Sequence, residues 1–104
     1  MDVYEVYLTE MAQNDLRDIV QYISAQLNAP TTALNMLQTI KTAIVKLETM
    51  AFAYPLVRDN RLASLGYRQL TVKNYVIFFI VDKNIKTVDV DRILYSRRDW
   101  KNIL

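Results

Sequence analysis

Apolar and polar positions alternate along this chain with two different periods, and the change of period divides it. Val3-Tyr4-Glu5-Val6-Tyr7-Leu8 is a short β-prone run and predicts a first strand. Leu16, Ile19, Val20, Ile23 and Leu27 then recur at spacings of three and four, which predicts a helix over roughly Glu10 to Leu27. Thr9 supplies a capping hydroxyl at its start, and Glu10 suits the positive end of its dipole. After Asn28-Ala29-Pro30 a second stripe follows, Ala33, Leu37, Ile40, Ile44 and Leu47, on a helix from about Pro30 to Thr49. So short a break makes the two helices an antiparallel hairpin. Met36, Ala43 and Met50, seven apart, widen the buried face of the second helix.

From Gly66 onward the period becomes that of strands. Three extended runs are separated by polar breaks at Lys73-Asn74 and Asp82–Lys86, and the chain reads as an antiparallel meander. The middle run, Tyr75–Val81, has no polar group except one tyrosine hydroxyl, so it is buried on both faces. Gly66, the single glycine, marks a positive-φ position before the second strand. Residues 51–66 form one long connection in which Phe52, Tyr54, Pro55 and Leu56 fold back on the core and Arg58–Arg61 form a polar tip. Trp100 pins a short tail, Trp100–Leu104, to the sheet. The order β-α-α-β-β-β, with a short terminal helix, predicts a single α+β domain over 1–104. In it a helical hairpin packs on one face of a small antiparallel sheet.

Composition narrows the chemistry. The chain has neither cysteine nor histidine, which removes disulfides, thiolate nucleophiles, serine–histidine chemistry and the usual zinc ligands; no metal or cofactor is expected. No apolar run approaches the ~18 residues of a membrane span, and the first ten residues lack the pattern of a signal peptide. A cytoplasmic location is expected. The net charge of +2 conceals a division: residues 1–50 hold six acids and three bases (−3), residues 51–104 five acids and ten bases (+5). The C-terminal half therefore favours an anionic partner.

The candidate chemistry lies at the end of the last strand. Strict alternation there puts Val88, Val90, Arg92 and Leu94 on one face, so Arg92 needs either a bulge or an acid such as Asp89 or Asp91. Arg97 and Arg98, joined by Arg68 from a nearby strand, are expected to converge into a cationic patch, since planar guanidiniums bind phosphate or carboxylate through two bonds. Tyr95 stands beside them as a stacking or proton-transfer group.

Taken in order, the first strand followed by LTEMAQNDLRDIVQYI, the second helix, the Phe-Tyr-Pro segment, GYRQLTVKNYVIFFIVD and RILYSRRDW resemble the RelE/ParE family of bacterial toxins. The likeness covers nearly the whole chain. Its most specific parts are Gly66-Tyr67-Arg68, Tyr75–Phe79 and Arg92–Asp99. It implies the toxin of a type II toxin–antitoxin (plasmid stabilisation) module, neutralised by a cognate antitoxin whose acidic segment covers a free sheet face. Homodimer and heterotetramer with antitoxin both remain open. The RelE-like branch consists of ribosome-dependent, metal-independent mRNA endoribonucleases (mRNA interferases), and here such a role falls to Arg68, Tyr95, Arg97 and Arg98. The ParE-like branch inhibits DNA gyrase by binding. Many RelE-like nucleases carry an arginine after the aromatic residue that opens the penultimate strand, and this chain has Val76 there, which places it nearer the ParE side. An inactive relative that only binds antitoxin is a third alternative.

Overall fold

A computed structural model describes residues 2–104. Strand β1 (Glu5–Leu8) leads into helix α1 (Glu10–Gln21), which continues through a π-helical turn, Tyr22–Gln26. Helix α2 (Pro30–Met50) follows. A 3-10 turn (Ala51–Ala53) and a short helix α3 (Asn60–Ser64) lead to strands β2 (Arg68–Val72), β3 (Tyr75–Asp82) and β4 (Thr87–Tyr95), and helix α4 (Trp100–Ile103) closes the chain. The expected order of elements is present, with α3 as an addition: its residues Asn60 and Arg61 were assigned above to a polar tip.

The caps explain where the helices begin. The Thr9 hydroxyl accepts the Ala12 amide (3.1 Å) and in turn donates to the Asp91 carbonyl (2.8 Å), tying the start of α1 to β4. Pro30 occupies the first turn of α2, where it has no amide to waste. Ile19 and Ile23 of the predicted α1 stripe are buried, whereas Leu27 is 56% exposed. The π turn is the reason. Its Leu27 amide bonds the Tyr22 carbonyl (3.1 Å), five residues back, so the helix is locally underwound and Leu27 rotates out of the stripe.

The sheet order is β1-β4-β3-β2. Strands β2, β3 and β4 are the antiparallel meander, but β1 lies parallel to β4 (Val6 beside Val88, Leu8 beside Val90), which makes the whole sheet mixed. A parallel neighbour needs a crossover, and the α1–α2 hairpin supplies it. The hairpin covers one face, where Ile19, Ile23, Ala33, Ile40, Ile44 and Leu47 pack against Ile77, Phe79, Val88, Val90 and Ile93.

Strand β4 carries a bulge. Phe78 pairs with Arg92 but Phe79 with Val90, so Asp91 is an extra residue and side-chain parity reverses across it. Val88, Val90 and Ile93 therefore share the helix-side core, and Leu94 joins the opposite side. Arg92 is paired with neither Asp89 nor Asp91. β1 ends opposite Val90, and the open edge beyond is closed by Asp15 of α1. Its carboxylate accepts Arg92 Nε (2.7 Å), Arg92 Nη2 (2.9 Å) and the Ile93 amide (3.0 Å). This hydrogen bonding raises the Arg92 pKa further above its already high ordinary value, against a smaller opposing effect of burial.

The far face is not free, contrary to the expectation of an uncovered platform. Val57, Leu62, Val76, Phe78 and Leu94 form a second core, closed by Tyr67, Trp100, Ile103 and Leu104. Phe78 is fully buried with its ring 5.3 Å from that of Trp100, as the pinning role of the tryptophan requires. In the long connection Ala51, Val57 and Leu62 are the buried residues and Tyr54 packs against the helix-side core, while Phe52 and Leu56 stay 45% and 44% exposed.

Helix α3 is stopped by the glycine. Tyr67 bonds the Leu62 carbonyl and Gly66 bonds the Ala63 carbonyl, the paired bonds of a Schellman ending, with Gly66 at φ +91°. A Cβ at Gly66 would meet Ile80 at 3.6 Å, an ordinary contact, so the constraint is the backbone and not the space. Gly66→Ala should cost about 1–2 kcal/mol in urea unfolding; no loss would mean the turn relaxes to negative φ.

Candidate functional site

The bulge also positions the far end of the sheet. Asp91 points its carboxylate toward β2, where it accepts the Tyr67 hydroxyl at 2.6 Å. Burial first, then the bond to Asp91, push the Tyr67 pKa up to about 12 from 10.0. The folded chain thus keeps a proton that the unfolded chain releases near pH 10, so this contribution to stability is intact below about pH 10 and lost as pH approaches 12. In Tyr67→Phe the alkaline decline should be shallower, and the orphaned acceptor should cost about 1–2 kcal/mol at neutral pH. Melting curves recorded across the alkaline range would show both.

Past the bulge, β4 ends at Tyr95 beside the β2–β3 turn. The Ser96 amide bonds the Asn74 carbonyl (2.8 Å), and the Arg98 amide bonds the Tyr95 carbonyl (3.0 Å), which folds Ser96–Arg98 into a tight corner. Arg97 and Arg98 are exposed there. Asp99 does not neutralise them: its carboxylate accepts the Asn102 amide at 2.6 Å. The salt bridges among the described residues are Arg92–Asp15 and Lys86–Asp2, so both corner guanidiniums remain without a carboxylate.

Beside the corner runs a groove of about 540 Å³ between the α1 π turn and the sheet end, lined by Asp18, Tyr22, Leu27, Tyr75, Tyr95 and Arg98 among others. The Tyr75 and Tyr95 rings lie 6.0 Å apart, and Tyr95 is 43% exposed at the rim. The Tyr75 pKa is raised, chiefly by burial and secondarily by Tyr22 and Tyr95. The sequence reading missed Tyr22, Asp18 and Leu27. The one available signal was Asp18 and Tyr22 at a spacing of four on a helix face; the π turn that opens the groove has no sequence signature.

The structure brings Tyr95, Arg97 and Arg98 together but leaves Arg68 elsewhere. Tyr95 pairs with Tyr75 and Arg68 with Phe79, four positions along β3 or about 13 Å. Arg68 is also occupied, donating to the Tyr54 carbonyl (2.7 Å) with its guanidinium 5.1 Å from the centre of the Phe52 ring. The patch of three arginines expected from sequence is therefore reduced to Arg97 and Arg98, with Tyr95 beside them. Val76 is buried in the far-side core, so nothing cationic stands at its position. Among the described residues no group of acids suited to a metal occurs, and no helix is long and apolar enough to cross a membrane.

A helical hairpin thus crosses over onto a four-stranded mixed sheet, with a basic corner after the last strand. The chain matches the family model for the ParE toxin of the type II toxin–antitoxin system, parDE, over residues 6–100, and it belongs to that family. Among solved structures it is similar to a chain of the chromosomal ParDE TA system from P. aeruginosa, at 23% identity and TM-score 0.75, covering 91% of this chain and 98% of that one. It is also similar to a chain of the toxin–antitoxin complex RelBE2 from Mycobacterium tuberculosis, at 17% identity and TM-score 0.63, covering 89% and 98%. At these identities the two likenesses establish the fold. No curated protein matches the sequence significantly.

Proposed function

We propose that this protein is the toxin of a type II toxin–antitoxin module, neutralised by a cognate antitoxin, and that it arrests growth by binding DNA gyrase. The observation that carries the gyrase reading is the separation of Arg68 from the other nuclease candidates. A metal-free endoribonuclease must hold cations and a proton donor around one phosphate, because its catalysis rests on stabilising charge that develops there. Arg68 is held about 13 Å away along the strand, Val76 is buried, and Tyr95 is exposed at the rim of the groove. What remains is a surface of exposed arginines and tyrosines, the residue types that anchor protein interfaces.

The proximity of Tyr95 to Arg97 and Arg98 supports the second reading, ribosome-dependent mRNA cleavage, and one pair of assays separates the two. Purified protein added to a gyrase supercoiling reaction should block it while leaving a translating extract active. Codon-linked mRNA cleavage with normal supercoiling would reverse the assignment. Induction without any growth arrest would leave an inactive, antitoxin-binding relative. The antitoxin is proposed from the family match and from the two toxin–antitoxin structures in which a chain shares this fold, and cytoplasmic action follows from either target.

A further inference from the structure

At the opposite end of the sheet from the corner, two cations meet on one aromatic ring. The Arg68 guanidinium carbon lies 5.1 Å and Lys83 Nζ 5.2 Å from the centre of Phe52, so the two charges are no more than about 10 Å apart, within a Debye length at ordinary salt. The ring is 45% exposed and is met edge-on by Tyr4 at 6.0 Å. Neither cation has a carboxylate of its own among the described residues. The adjacent acid, Asp82, is committed to the hairpin turn, where it accepts the Asn84 and Ile85 amides. Arg68 spends one donor on the Tyr54 carbonyl and keeps the rest of its planar fork. Two like charges gathered on one ring without a counter-charge repel each other, and an anionic ligand between them removes that repulsion.

We propose that Arg68, Lys83 and Phe52 form a binding site for single-stranded nucleic acid, the two cations taking backbone phosphates and the half-exposed Phe52 ring offering an apolar surface to a base. The ring distinguishes this ligand from an acidic peptide. A carboxylate gains nothing from an exposed phenyl, whereas every base has a face that packs on one. The site is independent of which cellular target the corner serves.

The test is fluorescence anisotropy of the intact protein with a labelled oligothymidylate of about 15 nucleotides, near the upper footprint of one small domain, with polyglutamate of similar length as the comparison. Two phosphate contacts predict that log affinity falls with log salt at a slope of about −1.4, or about sevenfold between ~50 and ~200 mM. Lys83→Ala should flatten that slope by about 0.7, and Phe52→Ala should weaken the oligonucleotide at least about fivefold without altering the slope. Both side chains are exposed, so a melting curve suffices to confirm that the variants fold. Absence of oligonucleotide binding overturns the proposal, as does binding that neither substitution changes. Preference for polyglutamate would make the site one for an acidic protein, and equal losses for both ligands in Phe52→Ala would make it an unspecific anion patch; either result also overturns it.

Discussion

Asp15→Ala is expected to destabilise the protein by about 3 kcal/mol, lowering the melting temperature by roughly 12–20 °C. Asp15 does the work of a missing strand: it takes both nitrogens of the Arg92 fork and the Ile93 amide where β1 no longer reaches. The two side chains are 12–13% exposed, which leaves little water to replace the carboxylate. Alanine would orphan a charged guanidinium and a backbone donor together, and the charge dominates the cost. A double-mutant cycle with Arg92→Leu isolates that part. Removing the guanidinium as well should recover about 1–2 kcal/mol, because the pair couples directly. A loss below about 1 kcal/mol in urea unfolding would show that solvent satisfies the edge without help from α1.

The second large effect is functional. Arg97→Ala combined with Arg98→Ala should weaken target binding about 100-fold and relieve growth arrest, since anchor arginines at interfaces cost about 1–2 kcal/mol each when truncated. Both residues are exposed with no salt bridge to lose. Stability should therefore stay within about 0.5 kcal/mol of the parent. Colony counts after induction, set beside a melting curve, read both quantities. Undiminished arrest with the fold intact would remove the corner from the mechanism, whichever target is correct.

The elements of this fold were readable because each one repeats a pattern. Of the α2 stripe, Ala33, Ile40, Ile44 and Leu47 are buried as their spacing requires and Leu37 is half-buried, and Tyr75–Val81 lies in the central strand that its unbroken apolar run implied. Gly66 announced its positive φ by being the only glycine. What escaped were the places where one residue breaks a period. The extra Asp91 in β4 is fixed by tertiary bonds from Thr9 to Val90 and Asp91, the π turn after Gln21 by an amide that reaches five residues back, and local propensity registers neither. The direction of β1 was hidden for a related reason: a four-residue strand pairs by its surroundings, and here the hairpin that follows dictates the parallel arrangement. The distance of Arg68 from the corner follows from strand register, which becomes visible only when the strands are paired.

The surplus residue in β4 has a consequence for how such a surface can vary. Were the same residues paired with β3 without the bulge, alternation from Val90 onward would turn Leu94 toward the helices and Ile93 away from them. Tyr95 and the arginines after it would leave the sheet on the other side, over α4 instead of over the π turn. The bulge is thus as much a determinant of what the corner can touch as the side chains displayed on it.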